Sequence, residues 1–162
     1  NRGKKIFKND PGNEKGILMM VHAMTLGSES AAQWFMTLKK NGQQELIQQL
    51  SHVVVTSDNQ EQQMVALKAL LSLAQNITQL TEGAQETLID MLRDVAVQSK
   101  NQQHQEVAVG VLLYLAENIT TLTEGVQKTL ISELGYVNIH SDNQEHQALA
   151  KEALEKIKNN KN

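Results

Sequence analysis

Two histidines, His104 and His146, stand 42 residues apart, and His140 lies close to the second. Imidazole nitrogen is a good zinc donor, and two such rings at equivalent places in neighbouring turns of structure could begin a metal site. A zinc site takes three or four ligands, however, and no carboxylate or thiol falls into step with the pair. The expectation is no metal and no cofactor, with both rings exposed and stacked. His22 and His52 fit no pattern of their own. The remaining catalytic motifs are missing: the chain contains no glycine-rich phosphate loop, no His-Glu-x-x-His, no Gly-x-Ser-x-Gly and no kinase signature. Asn76-Ile77-Thr78 and Asn118-Ile119-Thr120 have the form of glycosylation sequons; without a secretory leader they read as turns between helices. The sequence predicts no enzyme.

The 42-residue spacing of the histidines belongs to a larger pattern. Ser57-Asp58-Asn59-Gln60 stands over Ser99-Lys100-Asn101-Gln102 and over Ser141-Asp142-Asn143-Gln144. The same shift sets Asn76-Ile77-Thr78-Gln79-Leu80-Thr81-Glu82-Gly83 over Asn118-Ile119-Thr120-Thr121-Leu122-Thr123-Glu124-Gly125. About 23 of the 42 positions are identical between residues 57–98 and 99–140, a level that identifies internal repeats. Leu46, Ile47, Leu50, Val53 and Val55 fall 42 before Leu88, Ile89, Leu92, Val95 and Val97. The expected organisation is therefore a leader at 1–16, a degenerate unit at 17–56, full units at 57–98 and 99–140, and a half unit with its cap at 141–162.

Each full unit reads as two helices. Val65, Ala66, Ala69, Leu70, Leu73 and Ile77 recur at spacings of three and four, which places them on one helical face. Ser57, Ser99 and Ser141, each with a Gln three residues on, predict N-caps in capping boxes. Thr81 and Thr123 predict the start of the second helix, with Glu82 and Glu124 in its first turn, where the helix dipole favours a carboxylate. Leu88, Ile89, Leu92 and Val95 form its buried stripe. In the last unit Leu149, Ala150, Ala153, Leu154 and Ile157 are expected to face inward, while Lys151, Glu152, Glu155, Lys156 and Lys158 cover the open end. Such stripes are buried only when units stack, so the expected fold is all-α, a right-handed α-solenoid.

Composition limits the partners. The formal net charge is −3; residues 1–16 carry Arg2, Lys4, Lys5, Lys8 and Lys15 against Asp10 and Glu14, a net of +3, which leaves −6 on the rest. A body of that sign repels phosphate backbones, so nucleic acid is not the expected partner. Cysteine is absent, which removes disulfides and thiolate chemistry. No apolar run is long enough to span a bilayer and no secretory signal opens the chain, so a soluble, intracellular and cytoplasmic protein is expected. Because the chain opens on Asn1, it is also expected to be part of a longer one. Asn and Gln make up about a fifth of the residues and decorate solvent faces. Trp34, Phe35 and Met36, with Met19, Met20 and Met24, form an apolar concentration expected to pack on the following unit or to offer a docking patch.

The string Gln63-Met64-Val65-Ala66-Leu67-Lys68-Ala69-Leu70-Leu71-Ser72-Leu73-Ala74, followed by Glu82-Gly83 and Thr87-Leu88-Ile89-Asp90-Met91-Leu92, resembles the armadillo pattern of an Ala-Leu-x-x-Leu-Ala helix, a glycine and a Leu-Val-x-Leu-Leu helix; HEAT repeats share most of it. The resemblance covers roughly residues 17–158. It implies a concave face lined by the first helix of each unit, and on it Lys68, Ser72, Gln75, Glu106, Gly110, Tyr114, Glu117, Glu152 and Lys156 are the candidate partner-binding residues. Importin-like members carry a Trp and, four residues on, an Asn that clamp an extended basic peptide; the matching positions here are Lys68 and Ser72, Gly110 and Tyr114, Glu152 and Lys156, so that ladder is missing. The function this implies is a non-catalytic scaffold that binds a peptide or helix of another protein. The alternative is an accessory, substrate-positioning domain of a larger enzyme or bacterial effector.

Overall fold

The structure is a computed structural model that describes residues 40–160. The expectations for the leader, for His22 and for the Trp34 and methionine cluster lie outside the described residues. Among the described residues six α-helices follow one another: α1 (Lys40–Thr56), α2 (Gln60–Gln75), α3 (Glu82–Gln98), α4 (Gln102–Glu117), α5 (Glu124–His140) and α6 (Gln144–Asn160). Short 3₁₀ turns, Ile77–Gln79 and Ile119–Thr121, connect α2 to α3 and α4 to α5. The fold is all-α, and no strand occurs among the described residues. Helices α1, α3 and α5 begin at 40, 82 and 124, and α2, α4 and α6 at 60, 102 and 144, so element boundaries recur every 42 residues.

The helix starts differ from the serine-capped expectation. Asn59, Asn101 and Asn143 are the residues whose side-chain Oδ1 accepts a backbone N–H three residues on, from Gln62, His104 and His146 at 3.1, 3.2 and 3.1 Å. The serines act two residues earlier. The Oγ of Ser57, Ser99 and Ser141 accepts from the backbone N–H of the capping Asn, at 3.1 Å in each case. Gln63, Gln105 and Gln147 then donate from Nε2 to the carbonyl of that serine. A short Asn side chain in an extended backbone reaches the orphan N–H groups of the first turn directly, which is why it takes the cap. At α3 the expectation holds, since Ala84 N–H donates to Thr81 Oγ1 at 3.2 Å.

The described residues divide into two compact units, with the boundary between Leu88 and Ile89, inside α3. In the first, α1 and α2 pack together. Helix α1 buries Leu46, Ile47, Leu50 and Val53, and α2 buries Ala66, Ala69, Leu70 and Leu73; each leucine or isoleucine hidden in this way contributes about 1.5–3 kcal/mol of transfer free energy. In the second unit α5 packs on α6, and α4 packs on both. Its core comprises Ile89, Leu92 and Val95 from α3, Ala108, Val109, Leu112 and Leu115 from α4, and Val126, Leu130, Leu134 and Val137 from α5.

Helix α6 is the thinnest contributor. It buries Ala150 and Ile157, while Leu149, Ala153 and Leu154, expected inward, are only half-buried. Lys151 and Lys158 occupy the positions 42 residues after the buried Val109 and Ala116, and both lysines are exposed. A lysine stem cannot carry its ammonium into an apolar seam without a partner, so α6 gives up two core positions to solvent. No helix among the described residues is long and apolar enough to cross a membrane.

Candidate functional site

On α4 the candidate residues Glu106, Gly110, Tyr114 and Glu117 follow one another at steps of four, four and three, which keeps them on one face of a helix. All four are exposed. Tyr114 is 53% exposed, so it is not a buried tyrosine holding the core together. A Cβ added at Gly110 would meet nothing within 4 Å, which leaves open space one turn from the Tyr114 ring. On α6, Glu152 and Lys156 are exposed and paired, Lys156 Nζ standing 3.3 Å from Glu152 Oε1. On α2, Lys68 and Gln75 are exposed and Ser72 is half-buried. These three belong to the first unit and are described with it alone.

Within the second unit the structure brings Glu117, Glu152 and Lys156 to the rim of one groove of about 480 Å³. Apolar side chains make up half of its lining residues, with Thr120, Gln127 and Asn160 as neutral polar members. Leu113 and Ala116 come from α4, Ile119 from the 3₁₀ turn, and Leu149, Ala153 and Ile157 from α6. The depth follows from side-chain size: Ala116 and Ala153 are small where flanking residues are large. The spacing of Leu149, Ala153 and Ile157, at i, i+4 and i+8, sets them along one side of α6. Glu117 has no ion-pair or hydrogen-bond partner among the described residues, in contrast to the Glu152–Lys156 pair beside it. Tyr114 lies outside the groove lining, one helical turn before Glu117.

The histidine expectation is corrected. His104 and His146 are each only 4% exposed rather than stacked at the surface. Each sits three residues after its capping Asn, and in α4 and α6 alike the residue four further on, Ala108 or Ala150, is also buried, so this position falls on the core side of the first turn. The Nδ1 atoms of both rings are buried without a hydrogen-bond partner. Burial holds the His104 pKa below its ordinary value. At the equivalent place in α2 stands Gln62, whose Oε1 accepts from Ser57 Oγ at 3.2 Å. No group of three or more metal-ligating side chains forms among the described residues.

A second cluster escaped the sequence reading. Arg93 on α3 places Nε 2.9 Å from Asp94 Oδ1 and 3.5 Å from Glu133 Oε2 on α5. Its guanidinium lies 4.2 Å from the centroid of the Tyr136 ring, and that ring stacks on His140 at 4.1 Å. Glu133 is 8% exposed. Burial, joined by a hydrogen bond with Asp90, pushes its carboxyl up to about 7 against the opposing pull of Arg93. Burial also raises Asp94. The signal for this cluster was present in the repeat register, where Glu133 occupies the place of Met91 in the preceding unit. An acid standing on an apolar register must be either paired or neutral. A carboxyl titrating near neutrality can serve acid–base chemistry, but here its neighbours are two aspartates and an arginine that bind α3 to α5, and the groove lies elsewhere, at α4 and α6. No family model matches this chain, and no curated protein matches it in sequence.

Proposed function

We propose that the chain is a right-handed α-solenoid of armadillo/HEAT-like units, at 57–98, 99–140 and 141–162 with a degenerate unit before them, and that it serves as a non-catalytic, intracellular scaffold for another protein. The helix starts that recur every 42 residues support the repeat reading, together with the thrice-repeated Ser, Asn and Gln hydrogen bonds at the heads of α2, α4 and α6. The groove between α4 and α6 carries the functional reading. It joins an open apolar floor to a charged rim, the combination by which surfaces that hold polypeptides differ from ordinary solvent faces. The occupant is a peptide or helix of a partner protein. Glu106, Gly110, Tyr114 and Glu117 extend the contact along α4, and Lys68, Ser72 and Gln75 are the corresponding row on α2.

The test is a display selection with short helical peptides, followed by amide chemical-shift mapping of the selected binders. Shifts concentrated at Leu113, Ala116, Leu149 and Ala153, lost in Ala153→Trp, are expected. Binders that map to the outer face of α5, or no binders at all, would remove the groove as the site.

A further inference from the structure

We infer that the occupant of the α4–α6 groove is an amphipathic helix of a partner protein, about two turns long, that sets an apolar ridge on the groove floor and a Lys or Arg against Glu117. The inference rests on the groove reading above and names the chemistry of its partner. Three observations carry it.

The first is the nature of the walls. The two long sides of the groove are α4 and α6, whose mid-helix backbone N–H and C=O groups are paired internally; the 3₁₀ turn adds only Ile119 and Thr120, and no strand edge exists among the described residues. An extended peptide pressed onto that floor would bury unpaired backbone groups, because the side-chain ladder by which importin-like repeats hold such a peptide is missing here. A helical occupant satisfies its own backbone and offers only side chains.

The second is length. From Leu149 to Ile157 the floor spans eight helical steps, about 12 Å at 1.5 Å per residue, which matches roughly two turns of a partner helix. Ala116 of α4 and Ala153 of α6 both line the groove, and small side chains on two ridges are what admit the apolar knobs of a third.

The third is charge. Lys156 is engaged by Glu152 at 3.3 Å, so the rim's cation is already answered. Glu117 is exposed and has no partner among the described residues. One turn away stands the exposed ring of Tyr114, a face on which a guanidinium or ammonium can also rest. The uncompensated charge of the site is therefore negative, and its complement is one basic side chain flanking the apolar ridge.

The probe is a displayed library of 12-residue helical peptides with apolar residues fixed at i, i+4 and i+8 and the flanking positions randomised, panned against the full chain at low and moderate salt. Lys or Arg should be enriched at least tenfold over Asp and Glu at one flank, and the enrichment should fade with salt, since an exposed pair is screened. Glu117→Lys should reverse the preference toward acidic flanks while leaving the apolar positions unchanged. Should Ala153→Trp fail to fold, Leu149→Asn tests the same floor. Binders lost on the floor variants but indifferent to flank charge would overturn the basic partner and leave the groove standing. Binders untouched by the floor variants would overturn both. A chain that dimerises by light scattering, with cross-links at the groove rim, would show the groove to be filled by a second copy instead.

Discussion

Arg93 Nε on α3 stands 3.5 Å from Glu133 Oε2 on α5, and the same guanidinium also holds Asp94 and lies over Tyr136. Two carboxyl groups, those of Asp94 and Glu133, share one arginine, and Asp90 is hydrogen-bonded to Glu133 beside them. Burial, with the hydrogen bond to Asp90, raises the Glu133 pKa from the ordinary 4.5 to about 7 against the opposing pull of Arg93. The sign of the linkage follows: a group whose folded pKa is raised stabilises fully below its unfolded pKa, and that contribution is lost as pH rises through the folded value.

The first prediction is that the wild-type chain loses stability relative to Glu133→Gln between about pH 5 and pH 8. The glutamine keeps the shape and a donor for Asp90 but cannot ionise, so the difference in melting temperature between the two proteins should shift against the wild type across that window. A constant difference would mean that Glu133 is ionised throughout in the fold.

The second prediction has the opposite sign. Burial lowers the His104 pKa below 6.5, so its contribution is present above pH 6.5 and lost as pH falls. His104→Gln places here the residue found at the equivalent position of α2, where Gln62 is held by Ser57. The variant should fold and should show a shallower loss of stability between about pH 6.5 and pH 4 than the wild type. An unchanged acid slope, measured by denaturant titration at each pH, would remove the histidine as the cause.

How much of this was legible in the sequence depends on whether the signal is periodic. The buried stripes of Leu70, Leu73, Leu88, Ile89 and Leu92 follow from spacing alone, because one helical face must be hidden and periodicity names it. The heads of the helices were half legible. Ser and Asn are both good caps, and the motif Ser-x-Asn-Gln contains both, so spacing could not choose between them; the structure gives the cap to Asn. His104 was misread because a polar residue at an N-terminal turn is usually solvated, whereas here the four-residue step to Ala108 carries it to the core. The Arg93 cluster lay beyond a motif-based reading, since its members come from two helices about 40 residues apart and no motif joins them.

The third prediction follows from the cap. Asn101→Ala should destabilise by about 0.5–2 kcal/mol, the usual cost of removing an N-cap side chain, because the His104 N–H would lose its acceptor at 3.2 Å. Asn101→Asp, which preserves an acceptor at the helix N-terminus, should restore most of the loss. Thermal and chemical denaturation of the pair checks this directly.

The fourth concerns the core. Leu70 and Leu112 are 0% and 1% exposed, and large-to-small changes at such sites cost about 2–5 kcal/mol through lost transfer energy and the cavity left behind. Each leucine replaced singly by Ala should fall in that range. A loss below about 1 kcal/mol at both would contradict the buried faces described above.

The last prediction separates the proposed binding face from the core. Tyr114 is one of five aromatic residues in the chain and is 53% exposed beside the open space at Gly110. An exposed tyrosine on a helix contributes little to stability, since surface changes away from caps and networks usually stay within about 0.5 kcal/mol. Its backbone carbonyl, not its side chain, receives the bond from Asn118 Nδ2 at 2.9 Å, so truncation leaves that contact intact. Tyr114→Ala should therefore keep the helical content and the melting temperature of the wild type. An aromatic side chain at the edge of an apolar groove is nonetheless the kind that anchors a partner, and its removal there costs about 1 kcal/mol or more in affinity. A groove-binding helical peptide should thus weaken at least about fivefold on Tyr114→Ala while its contacts with Leu149 and Ala153 persist in shift mapping. Loss of fold in this variant, or unchanged affinity, would take Tyr114 out of the binding face and confine the contact to the groove itself.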